Sequence, residues 1–162
     1  MTRVELSIDI DGAAEDIWAV ITDPARFPNW IKGMQAVEVL TEGEYGVGTR
    51  FRSTAGTGER TVEWTTEVIA VEPEKSIDFT YTGVVDGEGG WLIEELPEDE
   101  GCRVTSFDEF SPPGGFLVKL MSKMLPDNAS RAARMESLER LKETVEDIYE
   151  YVYEDEDEGE DE

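Results

Sequence analysis

Between Met34 and Phe110 the chain is a succession of strand-length runs whose links are too short to hold a crossover helix, which confines this stretch to an antiparallel meander. The runs are Met34 to Leu40, Gly48 to Ala55, Arg60 to Val71, Ser76 to Thr82, Trp91 to Leu96 and Arg103 to Phe110. Turn signals separate them at Gly43 and Gly46, Gly56-Thr57-Gly58, Pro73, Gly87 to Gly90, and Pro97 to Gly101. A further strand precedes the meander, because Val4, Leu6, Ile8 and Ile10 alternate with Glu5, Ser7 and Asp9 up to Asp11-Gly12. Ile17, Val20 and Ile21 then recur at helical spacing, with Glu15 and Asp16 near the positive end, and Asp23-Pro24 stops the helix. Ala25 to Lys32 reads as a second short helical piece around Phe27, Pro28 and Trp30.

Beyond the meander the period changes from two to about 3.6. Pro112-Pro113-Gly114-Gly115 interrupts the sheet, and Phe116, Leu117, Leu120, Met121, Met124 and Leu125 form an apolar stripe that Pro126 breaks. Met135, Leu138, Leu141, Val145, Ile148 and Val152 continue at steps of three and four, so one face of a long final helix is apolar. The expected order is one strand, two short helices, six strands and a long helix: an α+β domain over residues 1–153. Glu154 to Glu162 holds eight carboxylates and one Gly, with no apolar face to dock, and is expected to be a disordered acidic tail.

Charge narrows the partners. The net charge is −25, and −17 remains on residues 1–153 once the tail is removed. Nucleic-acid phosphates and anionic lipid surfaces would be repelled, so no nucleic-acid partner and no stable membrane insertion are expected. Four Trp and six Phe argue for a folded core despite the acidity, and a salt-rich cytoplasm whose cations screen a carboxylate surface reconciles the two. No basic, apolar leader and no span of ~20 apolar residues is visible, which points to a cytoplasmic protein. There is no His, and the one Cys, Cys102, allows neither an intramolecular disulfide nor a thiolate zinc site. A Ser-His-Asp triad and a histidine zinc helix are impossible, and no metal or cofactor is expected. Asp9-x-Asp11-Gly12 lacks the remaining ligands of a calcium loop, and the Gly-rich links lie between strands and not before a helix, where phosphate would bind.

The element order resembles the helix-grip fold of the START-like (SRPBCC) superfamily, in particular its polyketide cyclase/dehydrase and lipid-transport branch. The resemblance rests on the helix Ala14 to Asp23 with Ile17-Trp18, on Asp23, on the segment ending Pro28-Asn29-Trp30, and on Leu138 to Glu146 of the last helix. It covers Val4 to about Ile148. It implies a curved antiparallel sheet of about seven strands wrapped around the C-terminal helix, with an apolar cavity between them.

Alternation identifies the side chains that would line such a cavity. Ile77, Phe79 and Tyr81 share one face, as do Val62, Trp64, Thr66 and Val68, then Thr49, Phe51 and Ser53, and Trp91 with Ile93. Phe116, Leu120, Met121 and Met124 would close the space from the C-terminal side. Among the carboxylates Asp108 stands apart, because it shares a face with Val104, Ser106 and Phe110. Arg50 and Arg52 fall on the opposite face of their strand and are expected to pair with surface carboxylates. Trp18 reads as core, while Trp30 fits either the core or the cavity rim. The candidate ligand-binding set is Trp30, Phe51, Trp64, Phe79, Tyr81, Trp91, Ile93, Asp108, Phe116, Leu120, Met121 and Met124.

Three functions are compatible with this set. The first is binding or transport of a small lipophilic molecule such as an isoprenoid quinone, a lipid or a polyketide-like aromatic. The second is an aromatase/cyclase-type enzyme in which Asp108 or Tyr81 handles protons. The third is an interaction module with a solid core. No catalytic residue is assigned, and the lack of His favours the first.

Overall fold

The computed structural model describes residues 2–84, 86–111 and 131–159. Strand β1 (Thr2–Ile10) leads into α1 (Ala14–Ile21), a single 3-10 turn at Pro24–Arg26 and the one-turn α2 (Phe27–Trp30). Then come β2 (Met34–Val39), β3 (Arg50–Thr57), β4 (Arg60–Glu72), β5 (Ser76–Gly83), β6 (Asp86–Glu95) and β7 (Cys102–Ser111), and the helix α3 (Arg131–Gly159). The strands form one seven-stranded antiparallel sheet in the order β1-β7-β6-β5-β4-β3-β2, so the meander is sequential and β1 closes onto its last strand. Register shifts at Met34/Ala36 and Val68/Ala70 bend the sheet. This is the helix-grip α+β architecture expected from the sequence.

The helical stripe sets the depth of the core. Leu138, Leu141 and Val145 of α3 are buried, with Met135 and Ile148 packed alongside, against Ile10, Ile17, Val20, Ile21, Val68, Ile77 and Val104. Two polar ties fix the helix on its neighbours. Lys32 bonds Glu136 at 2.5 Å while its backbone N–H donates to Ser137 Oγ at 2.9 Å, and the Asp11 N–H donates to Glu146 at 3.1 Å. Trp18 packs against the core as expected, and its carbonyl accepts from Thr22 Oγ1. Arg50 and Arg52 point outward to Glu67 and Glu38.

Two boundaries differ from the sequence reading. Gly87 to Gly90 is not a loop: it forms the first half of β6, which begins at Asp86. The glycines here answer to close approach. A Cβ on Gly89 would meet Asp108 Oδ1 at 2.5 Å and Phe79 Cε2 at 2.9 Å, and one on Gly90 would collide with the Ile77 carbonyl oxygen and meet the Phe107 ring at 2.6 Å. The second difference is the C-terminus, where the backbone of α3 continues to Gly159 instead of ending in a disordered tail at Glu154. A helix already nucleated by packed turns propagates cheaply, and Glu is a good helix former.

Residues 154–162 are eight carboxylates and one Gly, with no apolar side chain, so the division at residue 153 is kept as a proposal. Removing residues 154–162 is expected to shift the melting temperature in molar salt by less than about 2 °C, by the scaling for domains of this size. Thermal denaturation of the truncated chain checks it, and a loss of several degrees would show that this end of the helix supports the body.

Candidate functional site

A cavity of about 230 Å³ lies between the concave face of the sheet and the helices. From the sheet it is lined by Phe51, Ser53 and Ala55 of β3, Val62, Trp64 and Thr66 of β4, Phe79 and Tyr81 of β5, Trp91 of β6, and Ser106 and Asp108 of β7. Each set falls at every second residue, so the lining is the inward face produced by the pleat. From the helices come Trp30 of α2 and Arg134, Ser137 and Leu138 of α3, while Tyr45 enters from the loop before β3. Aromatic edges interlock along one wall: Phe27 stands edge-on to Phe51 and Trp30, and Trp30 stands edge-on to Trp91 at 5.7 Å between ring centres.

The sequence-derived set divides accordingly. Trp30, Phe51, Trp64, Phe79, Tyr81, Trp91 and Asp108 come together around the cavity. Ile93 is buried but lies outside the lining. It shares a face with Trp91, yet it pairs with the fully buried Val104 and sits in the packed core cluster. Phe116, Leu120, Met121 and Met124 lie outside the described residues. Arg134, Tyr45 and Ser137 are lining residues that the sequence reading did not single out. Arg134 was detectable in principle: it stands four residues before Leu138, on the same helical stripe, as a charge on an otherwise apolar face.

One polar constellation sits in this apolar setting. Asp108 is only 4% exposed; it accepts a hydrogen bond from the Tyr81 hydroxyl at 2.5 Å and is ion-paired with Arg134. The sheet row Asp108–Gly89–Phe79 explains how the carboxylate fits, since the missing Cβ of Gly89 leaves room for the carboxylate on one side and the ring on the other. Burial pushes the Asp108 carboxyl above the ordinary carboxylate range, with Arg134 and the Tyr81 hydrogen bond pulling the other way. Burial, followed by the neighbouring Asp108 charge, holds the Tyr81 phenol well above its usual range. Burial also raises Tyr45. Both phenols therefore stay protonated near neutrality, and Tyr81 donates to Asp108. Among the described residues no three His, Cys, Asp or Glu side chains gather as a metal-ligand group, and no helix is long and apolar enough to cross a membrane.

Crowding at Gly89 gives a direct test of this arrangement. Gly89→Ala is expected to cost about 1–3 kcal/mol through overpacking and to displace Asp108 from Tyr81. Gly46→Ala, where an added Cβ meets nothing within 4 Å, should be close to neutral. Equal melting temperatures for the two variants would mean that the Asp108 row is not tightly packed.

Solved structures share the architecture. The chain is 16% identical to the Zhui aromatase/cyclase of Streptomyces sp. R1128, with a TM-score of 0.72 over 90% of this chain and 93% of that one. For TTHA0849 of Thermus thermophilus the identity is 23% and the TM-score 0.69, over 89% and 97% of the two chains. A Thalictrum norcoclaurine synthase mutant, bound to a transition-state analogue, is 17% identical with a TM-score of 0.66 over 91% and 96%. At these identities the likeness is one of fold. No curated protein matches the sequence. The profile of the family described as polyketide cyclase/dehydrase and lipid transport matches residues 1–146, most of the chain, and the protein belongs to that family.

Proposed function

We propose that the protein binds a small lipophilic molecule in the cavity between the sheet and α3 and carries it unchanged. The observation that supports this reading is the lining itself: a concave wall of Phe, Trp and Tyr side chains with a small number of polar groups, the usual composition of a small-molecule site. Size restricts the occupant. Dry apolar cavities of ~150 Å³ accept benzene, and drug-sized pockets begin near ~300 Å³, so about 230 Å³ suits a compound of one or two rings or the head of a longer molecule. A quinone head group, a polyketide-like aromatic and a short segment of lipid all remain within this class.

A second reading is favoured by the Tyr81–Asp108 hydrogen bond, which could pass a proton to an enolisable substrate in an aromatase/cyclase-type reaction. Against it, Asp108 is committed to Arg134 as well as Tyr81, and both phenols in the site are held in the protonated form. The constellation is better suited to a fixed, internally paired role in the wall than to turnover.

Three of the lining residues are tryptophans, so occupancy should be visible in their emission. Flat aromatic compounds are expected to give a saturable change in the parent. Ala55→Phe, which places a ring in the cavity, should remove it with little loss of stability, because the added atoms enter open space. A severe loss of stability in Ala55→Phe together with no saturable response in the parent would contradict the carrier and the cyclase readings alike.

A further inference from the structure

We infer that the cavity selects an uncharged ring compound bearing a hydrogen-bond-accepting oxygen, which is received by Trp30 Nε1 and Ser53 Oγ. This rests on the reading of the cavity as a ligand site and adds a chemical class to it. Trp30 and Ser53 are 1% and 0% exposed and both line the cavity. Among the described residues neither the Trp30 indole nitrogen nor the Ser53 hydroxyl has a hydrogen-bond partner. Buried polar groups are nearly always satisfied, and two exceptions in the wall of one cavity are where a ligand would complete the pattern.

The direction of the missing bonds sets the chemistry. An indole N–H donates only, and a serine hydroxyl donates or accepts, so the group they share has to be an acceptor: a carbonyl, ether or hydroxyl oxygen. Ser53 lies between Phe51 and Ala55 on the inward face of β3 and pairs with Trp64 across the strand, which surrounds the acceptor with aromatic surface. This point is separate from the Asp108 constellation. Across the sheet Ser53 is two strands from Tyr81 and one inward residue further along, roughly 12 Å between backbones on a flat sheet by standard strand spacings.

Charge excludes the other common class of lipophilic ligand, the carboxylates. Among the described residues the cationic side chains of the lining are Arg134, ion-paired with Asp108, and Lys32, ion-paired with Glu136. An entering carboxylate would meet a buried Asp108 and two cations that already have carboxylate partners, and would lose its hydration without compensation.

The full-length chain in molar KCl, studied by equilibrium dialysis against three probes of one shape, separates these possibilities: 2-acetylnaphthalene, 2-ethylnaphthalene and 2-naphthoate. The ketone is expected to bind about tenfold tighter than the hydrocarbon, the value of one or two well-made hydrogen bonds, and the carboxylate more weakly than either. Ser53→Ala, and independently Trp30→Phe, should weaken the ketone about five- to tenfold and leave the hydrocarbon within about twofold. Equal affinity for ketone and hydrocarbon, or ketone binding untouched by Ser53→Ala, would overturn this inference while leaving the carrier reading standing. Tightest binding of 2-naphthoate would overturn the uncharged class. Failure of all three probes to bind would overturn the carrier reading and this inference with it.

Discussion

Replacing Arg134 with Met is expected to destabilise the protein by about 3–5 kcal/mol, because it leaves the Asp108 carboxylate buried without its counter-charge. For a chain of this length that corresponds to a fall in melting temperature of roughly 10 °C. The loss should depend on pH with a definite sign. Burial already raises the Asp108 carboxyl in the folded protein above its ordinary value of 3.8, and without Arg134 the main opposing influence disappears. The folded variant therefore holds the proton more tightly than the unfolded chain does. Its stability is fully present below the ordinary carboxylate value and is lost as pH rises through the raised one. Relative to the parent, Arg134→Met should be least impaired near pH 4 and most impaired at neutrality. Adding Asp108→Leu should restore much of the stability and abolish the difference in pH dependence, since replacing a whole buried pair by apolar groups is often neutral. Urea denaturation of the parent, single and double variants across that range measures all three expectations. A pH-independent penalty would show that Arg134 contributes packing and not charge.

Salt is expected to have an effect of similar size. With 14 Lys and Arg against 39 Asp and Glu, pairing every base would still leave 25 carboxylates without one. The ion pairs on the surface, such as Arg103 with Asp9 and Arg52 with Glu38, are exposed and individually weak. At ~0.01 M salt the screening length of ~30 Å exceeds the radius of a domain this size, so the excess carboxylates repel one another across the whole surface, whereas at ~1 M it is ~3 Å and only neighbours interact. Dialysis from molar KCl to millimolar salt should lower the melting temperature by roughly 10 °C or more, followed by circular dichroism. A melting temperature that does not move would contradict adaptation to a salt-rich cytoplasm, which is proposed on the charge alone.

What the sequence made legible follows from which forces are local. Alternation along β1, β3, β4 and β5 fixed both the strands and their inward faces, because a pleat has period two whatever surrounds it; Phe51, Ser53, Trp64, Phe79 and Tyr81 were all assigned to the correct side. The start of β6 was hidden because its glycines imitate a loop. Their reason is tertiary: the Phe79 ring and the Asp108 side chain press on Gly89, and the Phe107 ring on Gly90. Asp108 was visible as an inward carboxylate, but its partner was not. Arg134 stands out on the helix as a charge on the apolar stripe, but its role as counter-charge emerges only when the sheet brings Asp108 beneath it. The limit of the cavity was equally invisible, since Trp91 and Ile93 are equivalent by period, yet Trp91 lines the cavity while Ile93 is packed in the core.

The claim that the cavity holds a small lipophilic molecule is tested most directly by native mass spectrometry of the full chain purified in high salt, with solvent extraction of the same sample. A stoichiometric added mass is expected, recovered by extraction as an intact, lipophilic, ring-bearing compound and absent from Ala55→Phe. A parent that shows only the mass of the polypeptide, and takes up no flat aromatic compound on incubation, would contradict it.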